Sequence, residues 1–386
     1  MSSLWSAKKR VLSLDGGGIR GITSIAFLER IETLLRARSG RGESFRLADH
    51  FDLIGGTSTG AIIAAGLATG RSVEHLKALY FDLANRVFRR TWARVPYLQA
   101  RFGSWPLEEI LRAELGDILL EDPAIRTRLA IVVKRVDTGS PWIISNLPGQ
   151  PYWNDGAGGE YTGNRYYKLV NVIRASTAAP FFFGPERIPI SAGVTGSFID
   201  GGLTPYNSPM LPLLMLATVR RYGLSWPLGP ENQSMVSLGT GRFTARVTGG
   251  WTPAVKFAVD TLRGLVSDCQ QTSLALMQWL SEPHTPWWLD GDIEGLEGEI
   301  LGGRPLLSFQ RYDLQLEQAW LREHCGADIG PDEVRALQSM DRPASMAKLY
   351  ELAKIAAERQ LPDLAPPPDL RPLPAGPRTG ELVAGS

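Results

Sequence analysis

Short apolar runs alternate with longer helix-period patterns through the first half of the chain, which argues for an α/β sheet with crossover helices. Val11-Leu12-Ser13-Leu14 reads as a buried strand. Ile22, Ile25, Ala26, Leu28, Ile31, Leu34 and Leu35 keep the spacing of one helical face, which predicts a helix from Ile22 to Arg38. Phe51-Asp52-Leu53-Ile54 reads as a second strand, Ala61 to Ala68 as a buried helix of small residues, Leu129 to Val133 as a third strand and Met235 to Leu238 as a late one. Residues 146–165 are rich in Gly, Asn and Pro and read as a surface loop. The second half turns helical. Ala258, Leu262, Leu265, Val266, Cys269, Ser273, Leu276, Met277 and Leu280 hold one face of a long helix, and further helices are expected over Asp332 to Met340 and Ser345 to Gln360. From Leu361 to Ser386 there are seven prolines and few large apolar groups, the composition of a disordered tail.

Composition narrows the function classes. With 41 Lys+Arg against 40 Asp+Glu, the net charge of +1 gives none of the basic excess of a dedicated nucleic-acid binder. Cys269 and Cys325 are the only cysteines in 386 residues, too few for a disulfide framework, so a reducing, cytoplasmic setting is expected. No apolar run reaches the roughly 18 residues of a membrane span. The stretch Val11 to Leu14 after Lys8, Lys9 and Arg10 is too short for the apolar region of a signal peptide. Any membrane contact would come from the surface. No His/Cys/Asp cluster has metal-ligand spacing, so neither a metal nor a cofactor is expected.

Glycine, at 41 residues, concentrates where chemistry is expected. Asp15-Gly16-Gly17-Gly18-Ile19-Arg20-Gly21 follows a strand and precedes a helix. Three readings stand for it. One is a dinucleotide fingerprint, although the region where a ribose-binding acid should end a second strand is polar and lacks that strand. Another is a tight strand-to-helix turn. The third is a row of backbone N–H groups at a helix N-terminus, suited to a developing oxyanion. Gly56-Thr57-Ser58-Thr59-Gly60 is G-x-S-x-G between a strand and a helix, where a sharp turn needs small residues two before and two after the serine. Ser58 is then a nucleophile, or an N-cap in a Gly-rich turn. Of the four histidines, His50, His75, His284 and His324, none lies in a Gly-rich strand-end loop where a base for Ser58 would sit. Ser197-Phe198-Ile199 leads into Asp200-Gly201-Gly202. A carboxylate at a strand terminus can take the serine proton directly, whereas the alternative is an ordinary Asp-Gly turn.

Together these blocks, with Ala175-Ser-Thr-Ala-Ala-Pro180 and Ser237-Leu-Gly-Thr-Gly241, resemble the patatin-like phospholipases over about residues 11 to 242. The resemblance implies a three-layer α/β/α sandwich with a helical C-terminal extension over 243–360 and a Pro-rich tail over 361–386. It implies a Ser–Asp dyad acyl hydrolase acting on lipid esters, with Ser58 as nucleophile and Asp200 as base. The oxyanion hole falls to Gly16, Gly17 and Gly18, with the Thr59 N–H. Arg20 is placed beside that loop, where it holds a phosphate or the loop itself. Gly21, Gly56, Gly60, Gly201 and Gly202 support the turns. The same motifs also suit an acyltransferase or a non-catalytic lipid-binding module. Two segments are candidates for peripheral membrane contact: Arg86, Arg89, Arg90, Arg94 and Arg101 interleaved with Phe88, Trp92, Tyr97, Phe102 and Trp105, and the group Trp279, Trp287 and Trp288.

Overall fold

The computed structural model describes residues 8–87, 105–180, 182–244 and 254–363. Its strands are β1 (Lys9–Leu14), β2 (Leu53–Thr57), β3 (Arg128–Arg135), β4 (Ser140–Ser145), β5 (Glu186–Ser191), β6 (Val194–Asp200), β7 (Gln233–Leu238), β8 (Glu282–Pro283) and β9 (Ser308–Tyr312). Its helices are α1 (Ile22–Ser39), α2 (Thr59–Ala68), α3 (Val73–Val87), α4 (Trp105–Leu115), α5 (Leu169–Ser176), α6 (Met210–Thr218), α7 (Ala254–Leu280), α8 (Gln318–Cys325), α9 (Pro331–Leu337) and α10 (Met346–Gln360). The strands join in one sheet in the order β5-β6-β3-β2-β1-β7-β9-β8, with β4 paired to β3. The core of that order, from β3 to β8, runs parallel, β4 and β6 pair antiparallel with β3, and β5 pairs antiparallel with β6.

Alternation along the strands explains the layers. Val11, Leu53, Ala130, Met235 and Phe309 point to one face, where they pack with Leu213 and Leu214 of α6 and Leu274 and Met277 of α7. Their neighbours Leu12, Leu14, Ile54, Ile131, Val236 and Leu238 point to the other, into a larger core with residues of α1 to α5 and α8 to α10. A parallel sheet covered on both faces must be apolar on both, hence the unbroken runs in β1 and β3. The result is the three-layer α/β/α sandwich. Among the described residues no helix is long and apolar enough to cross a membrane.

The structure departs from the sequence expectations in three places. β2 begins at Leu53 and continues through Gly55 and Gly56, so the glycines expected to end it lie inside it, pressed by Leu213 of α6 on one side and by the start of α2 on the other. The region beyond residue 242 is helical in α7 to α10, but it also supplies β9, which pairs in parallel with β7 from Ser234↔Ser308 to Leu238↔Tyr312. The five residues Ser308-Phe309-Gln310-Arg311-Tyr312 are too short and too polar to announce a buried strand. Leu361, placed in the tail by sequence, is fully buried and its carbonyl accepts from Arg30 Nε at 2.9 Å. The rest of the Pro-rich tail, 364–386, lies outside the described residues.

β9 matters because of Arg311. Its guanidinium is buried under the strand-end loops, with Nη2 at 2.7 Å from Asp15 Oδ2 and 2.8 Å from Asp313 Oδ2, and Nη1 donating to Ser237 Oγ at 2.8 Å. Burial pulls the guanidinium down, but Asp15 and Asp313 outweigh that and hold it above the ordinary arginine range. Asp313 Oδ1 in turn accepts from the Gly241 N–H at 2.8 Å. The loops after β1, β7 and β9 are therefore tied by one buried cation. Removing it strands two buried carboxylates, so Arg311→Met is expected to lower unfolding free energy by about 3–5 kcal/mol in urea denaturation. Arg322→Met, at an ion pair with Asp328 that is open to solvent, should cost less than about 1 kcal/mol in the same experiment.

Candidate active site

The register of three strands sets the site. Thr57 pairs with Val132 and Asp200 pairs with Val133, adjacent residues of β3 that β4 pairs from its other side, so the ends of β2 and β6 meet there and bring Ser58, the residue after Thr57, beside Asp200. Ser58 Oγ donates to Asp200 Oδ2 at 2.7 Å. Ser58 precedes the first residue of α2, yet its side chain makes no cap to that helix, so the N-cap alternative does not hold. Asp200 does both things the sequence offered: Oδ1 closes the Asp-Gly turn by accepting from the Gly202 N–H at 2.7 Å, and Oδ2 faces Ser58.

Ser58 sits on a strained turn, with φ 54° and ψ −124°. A non-glycine residue there costs of order 1–3 kcal/mol and must be held by its surroundings. Its N–H donates to Ser176 Oγ at 2.8 Å, and Ser176 Oγ donates on to the Val132 carbonyl at 2.7 Å. The glycines of the turn answer to close packing. A Cβ on Gly56 would stand 2.2 Å from the Gly60 carbonyl oxygen, and one on Gly60 would stand 2.3 Å from that of Leu14. Gly201 lies against the Val132 carbonyl in the same way.

Asp200 is 5% exposed, and no ion pair to it is found among the described residues. Burial pushes its carboxyl up to about 6, against the opposing pull of the Ser58 and Gly202 hydrogen bonds. A carboxylate at its ordinary value is a weak base for a hydroxyl, and a carboxyl raised in this way is a stronger one. The histidines are elsewhere. His75 shares a hydrogen bond with Glu114, His284 shares one with Ser308, His324 stacks on Trp320, and His50 is buried edge-on against Phe51. None lines the cleft onto which Ser58 opens.

The glycine loop lies beside Ser58. Gly16 is held on both sides by Asn207: its N–H donates to the Asn207 carbonyl at 3.0 Å, and its carbonyl accepts from Asn207 Nδ2 at 3.3 Å and from Thr240 Oγ1 at 3.0 Å. Of the three glycines expected to donate into an oxyanion hole, Gly16 thus has its N–H engaged elsewhere. Gly17 N–H reaches Thr59 Oγ1 at 3.2 Å. Arg20 holds a loop: its Nη1 donates to the Gly241 carbonyl at 2.7 Å and its guanidinium lies over Phe243, while burial pulls it down to about 10. Gly21 follows, in contact with Tyr80.

The cleft has a volume of about 1930 Å³. Ile62, Leu83, Val87, Leu107, Phe182 and Phe183 give it an apolar wall, and the buried charges of Arg20, Arg311 and Asp313 also line it. Trp288 lines it while 62% exposed, and Trp287 is half-buried with its indole N–H on the Arg311 carbonyl at 2.9 Å. Residues 88–104 of the arginine–aromatic segment lie outside the described residues, and Arg86 at its edge pairs with Asp82 and Glu109. No group of three metal-ligating side chains is found among the described residues. Sequence reasoning did not assign Ser176, Asn207, Tyr80, Thr240, Arg311 or Asp313. Ser176 and Thr240 lie in blocks it had marked, but their partners are too far away in sequence to be named.

The model of the patatin-like phospholipases matches residues 12–214. Among curated proteins, the chain is 34% identical over 218 residues to a cGAMP-activated phospholipase of Escherichia coli, covering 55% of this chain and 57% of that one. It is 28% identical over 270 residues to patatin group J-1 of Solanum tuberosum, covering 63% and 65%. The chain thus spans less than two thirds of these relatives. The solved structure of VipD from Legionella pneumophila is similar at a TM-score of 0.33 and 14% identity, covering 89% of this chain and 66% of that one, a likeness too distant to carry weight.

A base must be ionised to accept a proton. The rate kcat/KM on a soluble ester is therefore expected to climb about tenfold per pH unit up to an apparent pKa of about 6 and to level off above it. A pH–rate profile checks this, and a rate that falls as pH rises through that range would exclude Asp200 as base.

Proposed function

The chain belongs to the patatin-like phospholipase family, and on that premise we propose that it hydrolyses fatty-acyl esters of lipids through a covalent intermediate on Ser58. The 2.7 Å hydrogen bond from Ser58 Oγ to a buried Asp200 that makes no ion pair among the described residues, in a cleft with an apolar wall, carries this reading. Asp200 accepts the Ser58 proton as Oγ attacks the ester carbonyl. Oxygen of the tetrahedral intermediate lies against the backbone N–H groups of Gly18 in the glycine loop and of Thr59, each worth about 3 kcal/mol in such sites. On collapse the C–O bond to the alcohol breaks, and Asp200 returns its proton to the leaving oxygen. Water then gives Asp200 a proton as it attacks the acyl carbon, and Ser58 recovers that proton as the fatty acid departs. The chain's own groups complete the cycle, with the acyl chain along Ile62, Leu83, Val87 and Phe183.

Ser58→Ala and Asp200→Asn are each expected to lower hydrolysis of a short p-nitrophenyl ester by about 1,000-fold or more with the circular dichroism unchanged. Mass spectrometry of products from a phospholipid panel, with Ser58→Ala as control, then gives the substrate and the acyl position. Undiminished hydrolysis in a folded Ser58→Ala protein would sink the mechanism. The similarity to the cGAMP-activated phospholipase of Escherichia coli supports a second feature, control by a small molecule of the cGAMP kind. Hydrolysis of phospholipid vesicles should then rise on adding cGAMP, and equal rates with and without it would remove that feature.

A further inference from the structure

We propose that the hydroxyls of Thr59 and Tyr80 act as a positioning pair that fixes the glycine loop against Ser58 and leaves the Gly18 N–H as its free donor to the reacting carbonyl oxygen. The pairing rests on the reading of Ser58 as nucleophile.

The loop has few free polar groups. Gly16 is engaged at both its N–H and its carbonyl by Asn207 and Thr240. The Gly17 carbonyl accepts from the Arg20 N–H at 3.2 Å, and the Ile19 N–H donates to the Met340 carbonyl at 2.9 Å. The Gly18 carbonyl accepts from the Tyr80 hydroxyl, and the Gly17 N–H donates to Thr59 Oγ1. Only the Gly18 N–H has no hydrogen-bond partner among the described residues, and Gly18 lines the cleft beside Ser58 and Thr59. The peptide unit is planar, so holding the Gly17 carbonyl on one side sets the direction of the Gly18 N–H on the other.

Thr59 and Tyr80 hold the loop on both sides of that donor. The Gly17 N–H donates to the Thr59 hydroxyl oxygen and the Tyr80 hydroxyl donates to the Gly18 carbonyl, so the loop is held at two points that flank the Gly18 N–H. Both hydroxyls lie near Gly21: a Cβ there would stand 2.4 Å from the Tyr80 oxygen and 3.3 Å from Thr59 Oγ1. The last glycine of the first motif is therefore the opening through which α3 reaches the loop. Tyr80 is 5% exposed, and burial pushes its phenol well above the usual range, so it stays a neutral donor. Thr59 is the residue after Ser58. Its hydroxyl ties the loop to the same turn that carries the nucleophile, so the two hydroxyls together set the distance between donor and nucleophile.

The test uses the full chain carrying Thr59→Val, Tyr80→Phe, both together, or Thr59→Ser. Each is measured for kcat and KM on a p-nitrophenyl ester and for inhibition by a trifluoromethyl ketone, whose serine adduct places an oxyanion at the loop. Each of the two single losses of a hydroxyl is expected to lower kcat by about 10- to 100-fold, with KM within about twofold and ketone affinity falling by the same factor as kcat. The double variant should fall little below the worse single one, because either change already frees the loop around the same donor. Thr59→Ser should recover most of the rate. Parental kcat in either single variant, a change confined to KM, or independent multiplying losses in the double variant would overturn the pair. If Thr59→Val does not fold, Tyr80→Phe decides by the same kcat and ketone readout. Ser58→Ala is run alongside. If it remains active, the nucleophile and the pair both fall, and if it is inactive while Thr59→Val and Tyr80→Phe keep the parental rate, only the pair falls.

Discussion

A single buried guanidinium holds the catalytic edge of the sheet together. Arg311 reaches from β9 under the loop after β1 and beside the loop after β7, binding Asp15, Asp313 and Ser237. In a low-dielectric interior a carboxylate near a cation is fixed far more tightly than at a surface, and a carboxylate without one costs stability. The positions of Asp15 and Gly241 follow from this contact, and with them the two ends of the glycine loop's surroundings. Thr240, between Gly239 and Gly241, then meets the Gly16 carbonyl. The region that the sequence presents as an appendage after residue 242 is for this reason part of the site's foundation.

The site was legible where its chemistry is local. G-x-S-x-G and Asp-Gly-Gly are turn signals, and turns are decided by a few neighbouring residues. Their glycines are required by clashes within the same few positions, as between Gly56 and Gly60. Ser58 and Asp200 could be paired because histidine was in short supply and a strand-end carboxylate was at hand. What was not legible depends on contacts across the chain. Ser176 lies 118 residues from the N–H it accepts, and Arg311 lies 296 residues from Asp15. Nothing local marks either as special. The fold shows the same division. The apolar runs of β1 and β3 and the periodicity of α1 and α7 are strong, local patterns. β2 was misplaced because glycine usually ends strands, and here the close approach of Leu213 and of α2 selects it inside one. β9 was missed because Gln310 and Arg311 are polar residues that only the completed interior makes acceptable.

The Ser–Asp contact and the glycine loop are held by different means. Register brings the first together, since Asp200 pairs with Val133 and Thr57 with Val132, and Ser176 holds the turn at Ser58. Side chains from several elements set the second: Asn207, Thr240, Tyr80 and Thr59 each fix one polar group of a segment whose glycines would otherwise leave it free. Sheet register is robust to single substitutions, whereas a loop held by individual hydroxyls and amides is not. Changes outside the two motif residues should therefore act on the loop first.

The environment of Asp200 also bears on the durability of the fold. Its carboxyl titrates at about 6 in the folded chain, above the ordinary value near 3.8 that it has when unfolded. The folded state therefore favours the protonated form. Below the unfolded value the group is neutral in both states and costs nothing. As pH rises through about 6 the buried carboxylate must ionise without a cation, and a difference of about two pKa units amounts to about 3 kcal/mol lost from folding at neutral pH. The ionised form, the one the proposed mechanism needs to take a proton from Ser58, is thus the form that the fold tolerates least. At neutral pH the chain keeps in reserve a tension that protonation in mild acid releases, so the carboxyl proposed to ready the serine also sets a limit on thermal endurance.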